Sequence, residues 1–248
     1  MSELKELLEF AVELGRGAGD ITLEYFRKKP ETSTKDDGSY VTIADREAEK
    51  YLRRQIAERF PDDGCVGEEE GESTGRSGRR WIVDPIDGTF AFVHGVPFYG
   101  VLIALEIEGE ATVGVVNIPA LGELVSAAKG LGCFLNGEAA RVSDTAELKD
   151  ALLLSTDFAS STERLRARAK TSRTWGDCYG YVLVATGRAD VMLDPVMNLW
   201  DCAPLLPIME EAGGTFTDWR GVRTIDGGNS IATNGRLFEE VMSLIGVQ

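Results

Sequence analysis

The order of hydrophobic rhythms constrains this chain more than any single motif: helical spacing comes first, a run of strand-like segments follows, and the rest mixes the two. Leu4, Leu7, Leu8, Ala11, Val12, Ala18, Ile21 and Tyr25 recur at helical spacing and predict one long amphipathic helix from residue 2 to about 28. The polar stretch KKPETSTKDDGSY is expected to be mobile. Thr42 then opens a second helix that runs to about Arg59 and stops at Phe60-Pro61, and Asp45 falls where a capping box places an acid. RWIVDP, FYGVLIALEIEGEATVGVVNIPA and ELVSAAKGLGCFLNGEAARVS read as strands joined by turns, with Asn136-Gly137 as a hairpin signal. Beyond them come strand ALLLST, a helix near 160–170, helix YGYVLVATGRA, strand DVMLDP, helix WDCAPLLPIMEEAGG, strands TFTDW and NSIATN, and helix RLFEEVMSLIG. Helices and sheets therefore alternate in layers, with no repeat or clear linker. The expected organisation is one domain over 1–248, with an N-terminal α+β half (1–145) and a C-terminal α/β half (146–248).

Charge and residue usage then exclude whole classes of function. With 26 Lys and Arg against 41 Asp and Glu, the net charge of -15 repels nucleic acid and anionic membranes. The four cysteines stand singly, without a CxxC pair, and are expected to be free thiols in a reducing cytosol. The N-terminus carries charges every few residues and no apolar run is long enough to span a bilayer, so a soluble, cytoplasmic protein is expected. A single histidine, His94, removes Ser-His-Asp triads and His-rich zinc sites, and it reads as a loop residue after a short helix. No GxGxxG or GxxxxGK[ST] occurs, and GRGAG at 15–19 has the wrong spacing and a helical setting.

Carboxylates remain. WIVDPIDGT sets Asp84 and Asp87 at the end of an apolar strand, where layered α/β proteins collect functional groups. Pro85 fixes a dihedral and Gly88 permits a tight turn, so the two acids would converge on one side with the Ile86 carbonyl between them. A hard divalent cation wants that set of oxygens, although Asp-Pro and Asp-Gly also make ordinary turns. Glu68 and Glu69 follow another short apolar run, CVG, and read equally as a solvated acidic loop. Asp201 opens a helix, where an acid also suits the macrodipole.

Taken together, GEEEG (67–71), WIVDPIDGT (81–89) and WDCAPLLPIMEEAGG (200–214) closely resemble the inositol monophosphatase superfamily in type, order and separation, over essentially the whole chain. The resemblance implies an αβαβα sandwich, usually dimeric, acting on a small phosphorylated metabolite with two or three Mg²⁺ ions, Mn²⁺ being the alternative. It implies that Glu68, Asp84, the Ile86 carbonyl, Asp87 and Asp201 hold the metals, Glu68 counting among the catalytic carboxylates as well. Thr89 with Asp45 would orient and deprotonate the attacking water, and Gly88 and Thr89 would bind phosphate through their backbone donors. Lys35 aligns with a family loop that closes over the site, and otherwise reads as an exposed lysine. Only 15 residues separate Glu68 from Asp84, a shorter loop than in animal inositol phosphatases.

Within the superfamily, TWGDCYGYVLVATGRADVMLDP and TKDDGSYVTIADREAE look more like the histidinol-phosphate phosphatases than the inositol enzymes. Asp177 and Asp194 are the candidate substrate residues: by the resemblance, inositol enzymes typically carry Glu at the position of Asp194 and a small or hydroxyl residue at that of Asp177, whose added anion suits a cationic substrate tail; Asp177 also reads as a helix cap. The expected activity is histidinol-phosphatase, a step of histidine biosynthesis. Inositol-1-phosphatase, a broad sugar-phosphate phosphatase, and a non-catalytic regulator bound to RNA polymerase or ribosomes stay open as alternatives.

Overall fold

The computed structural model describes residues 3–36, 38–157 and 162–245. Helix α1 (Glu3–Tyr25) buries Leu7, Leu8, Ala11, Leu14 and Ala18 along one stripe, the face its periodicity marks. Residue 2, its expected start, lies outside the described residues. The polar stretch that follows is not irregular: β1 (Thr32–Thr34) and β2 (Tyr40–Thr42) pair antiparallel, with Thr32 opposite Thr42. Asp37, in the connection, is also outside the described residues. Helix α2 (Ile43–Arg59) starts from the N-cap Thr42, and its last backbone bond comes from Phe60 just before Pro61, which cannot donate one.

The first sheet comprises β3 (Gly64–Gly67), β4 (Gly71–Ser73) and β5 (Arg79–Asp87), then, after the short helix α3 (Thr89–Val93), β6 (Gly100–Ile107), β7 (Glu110–Ile118), β8 (Glu123–Ala128), β9 (Gly132–Leu135) and β10 (Glu138–Ala140). Its order is β10-β9-β8-β7-β6-β5-β3-β4. Every pair is antiparallel except β3 with β5. Asn136 and Gly137 both take left-handed φ, 51° and 87°, as a two-residue hairpin requires.

The chain continues as β11 (Leu152–Ser155), α4 (Glu163–Arg168), β12 (Thr171–Arg173), α5 (Asp177–Ala185), β13 (Val191–Asp194), α6 (Leu199–Glu211), β14 (Thr215–Thr217), β15 (Ser230–Thr233) and α7 (Phe238–Leu244), and its five strands form a second sheet in the order β12-β11-β13-β15-β14. Helix α4 falls in the range expected near 160–170, of which residues 160 and 161 lie outside the described residues.

Alternation along the strands sorts side chains into layers. Trp81, Val83, Val101, Ile103, Val113 and Val115 pack with α1 and α2. Leu102, Val116 and Ile118 face the other way, onto α5 and α6, and share that core with Leu154, Met192 and Ala232 of the second sheet. Leu153, Val191, Leu193 and Ile231 pack outward against Leu165 of α4 and Val241 and Leu244 of α7. The result is a five-layer αβαβα sandwich. Helix α6 lies so close on the first sheet that a Cβ at Gly114 of β7 would collide with the carbonyl oxygen of Pro204. All four cysteines are free and buried. Among the described residues no helix is long and apolar enough to cross a membrane.

Candidate active site

Asp84 pairs with Leu102 and Asp87 with Gly100, so three steps along β5 match two along β6. On a regular strand, positions three apart face opposite sides; the bulge returns both carboxylates to one side. Pro85, which has no N–H to give a ladder, sits inside this irregularity. Asp84 is buried, and its Oδ1 accepts from the Ile86 N–H at 2.9 Å. Asp87 Oδ2 accepts from the Cys178 N–H at 2.5 Å, tying the end of β5 to the first turn of α5. Gly88 then turns the chain with φ 79°, where a side chain would crowd the Phe98 carbonyl and Asp177.

Asp201 reaches the same place from α6. Asn198 and Asp201 form a capping box, with Asp201 Oδ2 accepting from the Asn198 N–H at 2.7 Å. One carboxylate oxygen from each of Asp84, Asp87 and Asp201 lies within 4.8 Å of the other two. Burial, then the charges of Glu68, Asp87 and Asp201, push the Asp84 carboxyl well above the usual range. Burial, then Asp177 and Asp201, do the same to Asp87. Burial also raises Asp201 to about 6, against the pull of its bonds to Asn198. Three clustered anions with hard oxygen donors and no cation among them suit a divalent metal ion, and the residues fit that role.

Glu68 lines the same cavity, and its Oε1 accepts from Lys35 Nζ at 2.7 Å; Glu69 Oε1 does so at the same distance. Burial works against the Lys35 charge, but the contacts with Glu68 and Glu69 outweigh it and hold the ammonium above its ordinary value. The loop bearing Glu68 is pinned by Glu49, a fully buried acid on α2 that sequence reasoning missed. Its carboxylate accepts from the backbone N–H of Glu69 at 2.8 Å and of Glu70 at 3.0 Å, and from Arg53 Nε at 2.8 Å. A Cβ at Gly67 would collide with it. The available signal was two acids four apart, Asp45 and Glu49, on the stripe that otherwise carries Ala44, Ala48 and Leu52.

Asp45 answers both readings of its sequence context. Oδ2 accepts from the Thr42 N–H at 2.8 Å and hydroxyl at 2.6 Å, completing the capping box. Oδ1 faces the Thr89 hydroxyl at 3.3 Å, and that hydroxyl also points to the Ile86 carbonyl at 2.9 Å. Burial raises the Asp45 carboxyl, partly offset by its bonds to Thr42.

A cavity of about 320 Å³ joins Glu68, Asp84, Ile86, Asp87, Gly88, Thr89, Asp177 and Asp201, with Tyr40, Phe90 and Trp200 among its walls. Asp177 opens α5 with φ 51°, a conformation suited to the tight entry beside Gly88, and burial raises its carboxyl. Asp194 is not part of that wall. It is buried behind it, Oδ2 accepting from the Thr156 hydroxyl at 2.6 Å and Oδ1 from the Val196 N–H at 3.3 Å, with burial lifting its carboxyl to about 7. Thr156 also accepts from the Asp177 N–H at 3.3 Å, so the two acids are linked through one hydroxyl while only Asp177 meets the cavity. His94 stays outside, its ring nitrogen Nδ1 paired with the Phe90 carbonyl at 2.8 Å.

This arrangement has relatives. A histidinol-phosphatase of Chlorobaculum parvum is 47% identical over 249 residues, covering 96% of each chain. One of Mycobacterium tuberculosis is 43% identical over 223 residues, covering 85% of this chain and 86% of its own. The solved structure of a Thermotoga maritima IMPase superposes with a TM-score of 0.90 at 33% identity, covering 96% of both chains. The profile of the inositol monophosphatase family matches residues 3–246, and the chain belongs to that family of phosphomonoester hydrolases.

Proposed function

We propose that the protein is a Mg²⁺-dependent phosphomonoesterase that hydrolyses histidinol phosphate to histidinol and phosphate. The observation that carries this reading is the sharing of one cavity by the Asp84–Asp87–Asp201 cluster and Asp177, a further carboxylate that suits an ammonium-bearing ester better than a neutral polyol. The two relatives named histidinol-phosphatase support the substrate.

On this reading Glu68, Asp84, Asp87 and Asp201, with the Ile86 carbonyl, hold two or three Mg²⁺ ions. When bound, Mg²⁺ supplies the positive charge that admits a phosphate among carboxylates and stabilises an in-line displacement. The backbone donors of Gly88 and Thr89 orient the phosphate. The Thr89 hydroxyl takes a proton from the attacking water as it passes its own to Asp45 Oδ1, the one oxygen of Asp45 not committed to capping α2. Burial keeps Asp45 receptive to that proton. The water oxygen bonds to phosphorus, the ester P–O bond breaks, and the leaving alkoxide is protonated from solvent. Lys35 holds Glu68 and Glu69 in place as a counter-charge.

The test is phosphate release from histidinol phosphate, inositol-1-phosphate, fructose-1,6-bisphosphate and an adenosine bisphosphate at fixed Mg²⁺. Histidinol phosphate is expected to give the highest kcat/KM. A preference for inositol-1-phosphate would overturn the substrate and leave the phosphatase intact, whereas full activity after chelation would overturn the Mg²⁺ dependence.

A further inference from the structure

Phe90 is the residue after Thr89, in the first turn of α3, yet it is 67% exposed and forms part of the cavity wall. Scattered apolar residues on a surface need no explanation. A solvent-facing ring one residue from the phosphate donors and held in a fixed orientation does need one. The His94 ring stacks against Phe90 with centroids 4.2 Å apart and planes 26° from parallel. Tyr40 of β2 stacks at 6.0 Å and 18°, and Tyr40 and His94 lie 6.5 Å from each other. These separations close a triangle, so His94 and Tyr40 brace Phe90 without sandwiching it, and ring surface stays open at the cavity mouth. His94 is itself fixed: Nδ1 must carry the hydrogen to pair with the Phe90 carbonyl at 2.8 Å.

We propose that Phe90, braced by Tyr40 and His94, is a stacking surface that holds the planar ring of the substrate and selects for aromatic phosphomonoesters. The proposal rests on the histidinol phosphate reading for the identity of that ring, an imidazole. A flat, protonatable heterocycle gains from an aromatic face in two ways, by offset stacking and, when charged, by attraction to the ring quadrupole. A puckered polyol offers no flat face to this surface. Ring and ammonium are thus read by separate residues, the ring by Phe90 and Tyr40 and the ammonium by Asp177.

Three esters separate these contributions: histidinol phosphate, 3-(imidazol-4-yl)propyl phosphate, which keeps the ring and lacks the ammonium, and 2-aminopropyl phosphate, which keeps the ammonium and lacks the ring. The readout is kcat/KM for each ring-bearing ester divided by that for the ring-less one. Phe90→Ala is expected to lower both ratios about three- to thirtyfold, chiefly through KM, as the loss of one cation–π or stacking contact predicts. Phe90→Tyr should restore them, which separates stacking from a misfolded α3. Ratios unchanged in Phe90→Ala, or a wild type that handles the ring-less ester as well as histidinol phosphate, would overturn the stacking surface. The substrate reading fails separately: if the wild type prefers inositol-1-phosphate while Phe90→Ala still impairs the imidazolylpropyl ester selectively, the surface stands and histidinol phosphate falls.

Discussion

The first turns of α2 and α6 are built alike, each with a capping box whose acid, Asp45 or Asp201, commits Oδ2 to the backbone N–H three residues before it. Each helix thereby leaves a second carboxylate oxygen turned toward the site, that of Asp201 lining the cavity and that of Asp45 buried behind Thr89. What differs is the neighbour that oxygen meets. Asp45 Oδ1 faces a hydroxyl, Thr89, and can exchange a proton with it. Asp201 meets two more carboxylates, Asp84 and Asp87, and mutual repulsion calls for a cation. One capping motif therefore serves two chemistries, and the environment beyond the helix decides which.

Breaking the Asp201 side should have the larger effect. Asp201→Asn is expected to lower kcat/KM at fixed Mg²⁺ by about 10³-fold or more, with weaker Mg²⁺ affinity by titration calorimetry, since several kcal/mol of charge stabilisation depends on the cluster. Asp45→Asn should cost about 10²-fold in kcat, the usual range for a lost proton acceptor, while Mg²⁺ affinity stays at the wild-type value. Thr89→Ala should match it, and the double variant should be no worse than either single one. Additive losses would dissolve the proposed Thr89–Asp45 unit.

The carboxylate side also predicts a pH signature. Asp201 at about 6 and Asp194 at about 7 lie above the unfolded value of about 3.9, so the folded state binds protons more tightly. Their contribution to stability is complete below about 4 and is lost as pH rises through 6 to 7. Between those limits the metal-free protein should lose Tm with increasing pH. At pH 7.5 Mg²⁺ at a hundred times its Kd should return about 2.7 kcal/mol, or roughly 5–10 °C. A Tm that rises across this window without metal would contradict the cost assigned to ionising these buried carboxyls.

The smallest effect isolates the motif the two helices share. Thr42→Ala and Asn198→Ala should each cost about 1 kcal/mol of stability by chemical denaturation. Asn198→Ala should also weaken Mg²⁺ binding by loosening Asp201, and Thr42→Ala should leave it unchanged.

Much of this was legible from residues alone. Apolar periodicity marked α1 and α2, Asn136-Gly137 marked the β9–β10 turn, and the acid-rich strand and helix ends marked the cavity. The three-residue strands β1, β4 and β12 were not legible, because β1 and β4 are exposed along their length, no residue of β12 is more than partly buried, and so short a strand has no alternation to read. The convergence of Asp84 and Asp87 was legible from Pro85 and Gly88, but as a turn; that the strand continues to Asp87 and a bulge brings the two to one side was not. Asp177 and Asp194 look alike in sequence, and only the fold shows one at the cavity and the other behind it, with Thr156 bonded to both. Glu49 was hidden because an acid on a buried helical stripe makes sense only once the loop it pins, Glu69–Glu70, is seen above it.

On the proposed metal site, the close seat of Pro204 against Gly114 makes metal affinity a gauge of how the interior is assembled. Asp84 and Asp87 ride on the first sheet and Asp201 on α6, so the spacing of the three oxygens is inherited from a backbone contact between strand and helix. A single added methyl at Gly114 would lift the helix, spread the oxygens and act as a lesion of the carboxylate cluster, although the altered residue lies outside the cavity wall.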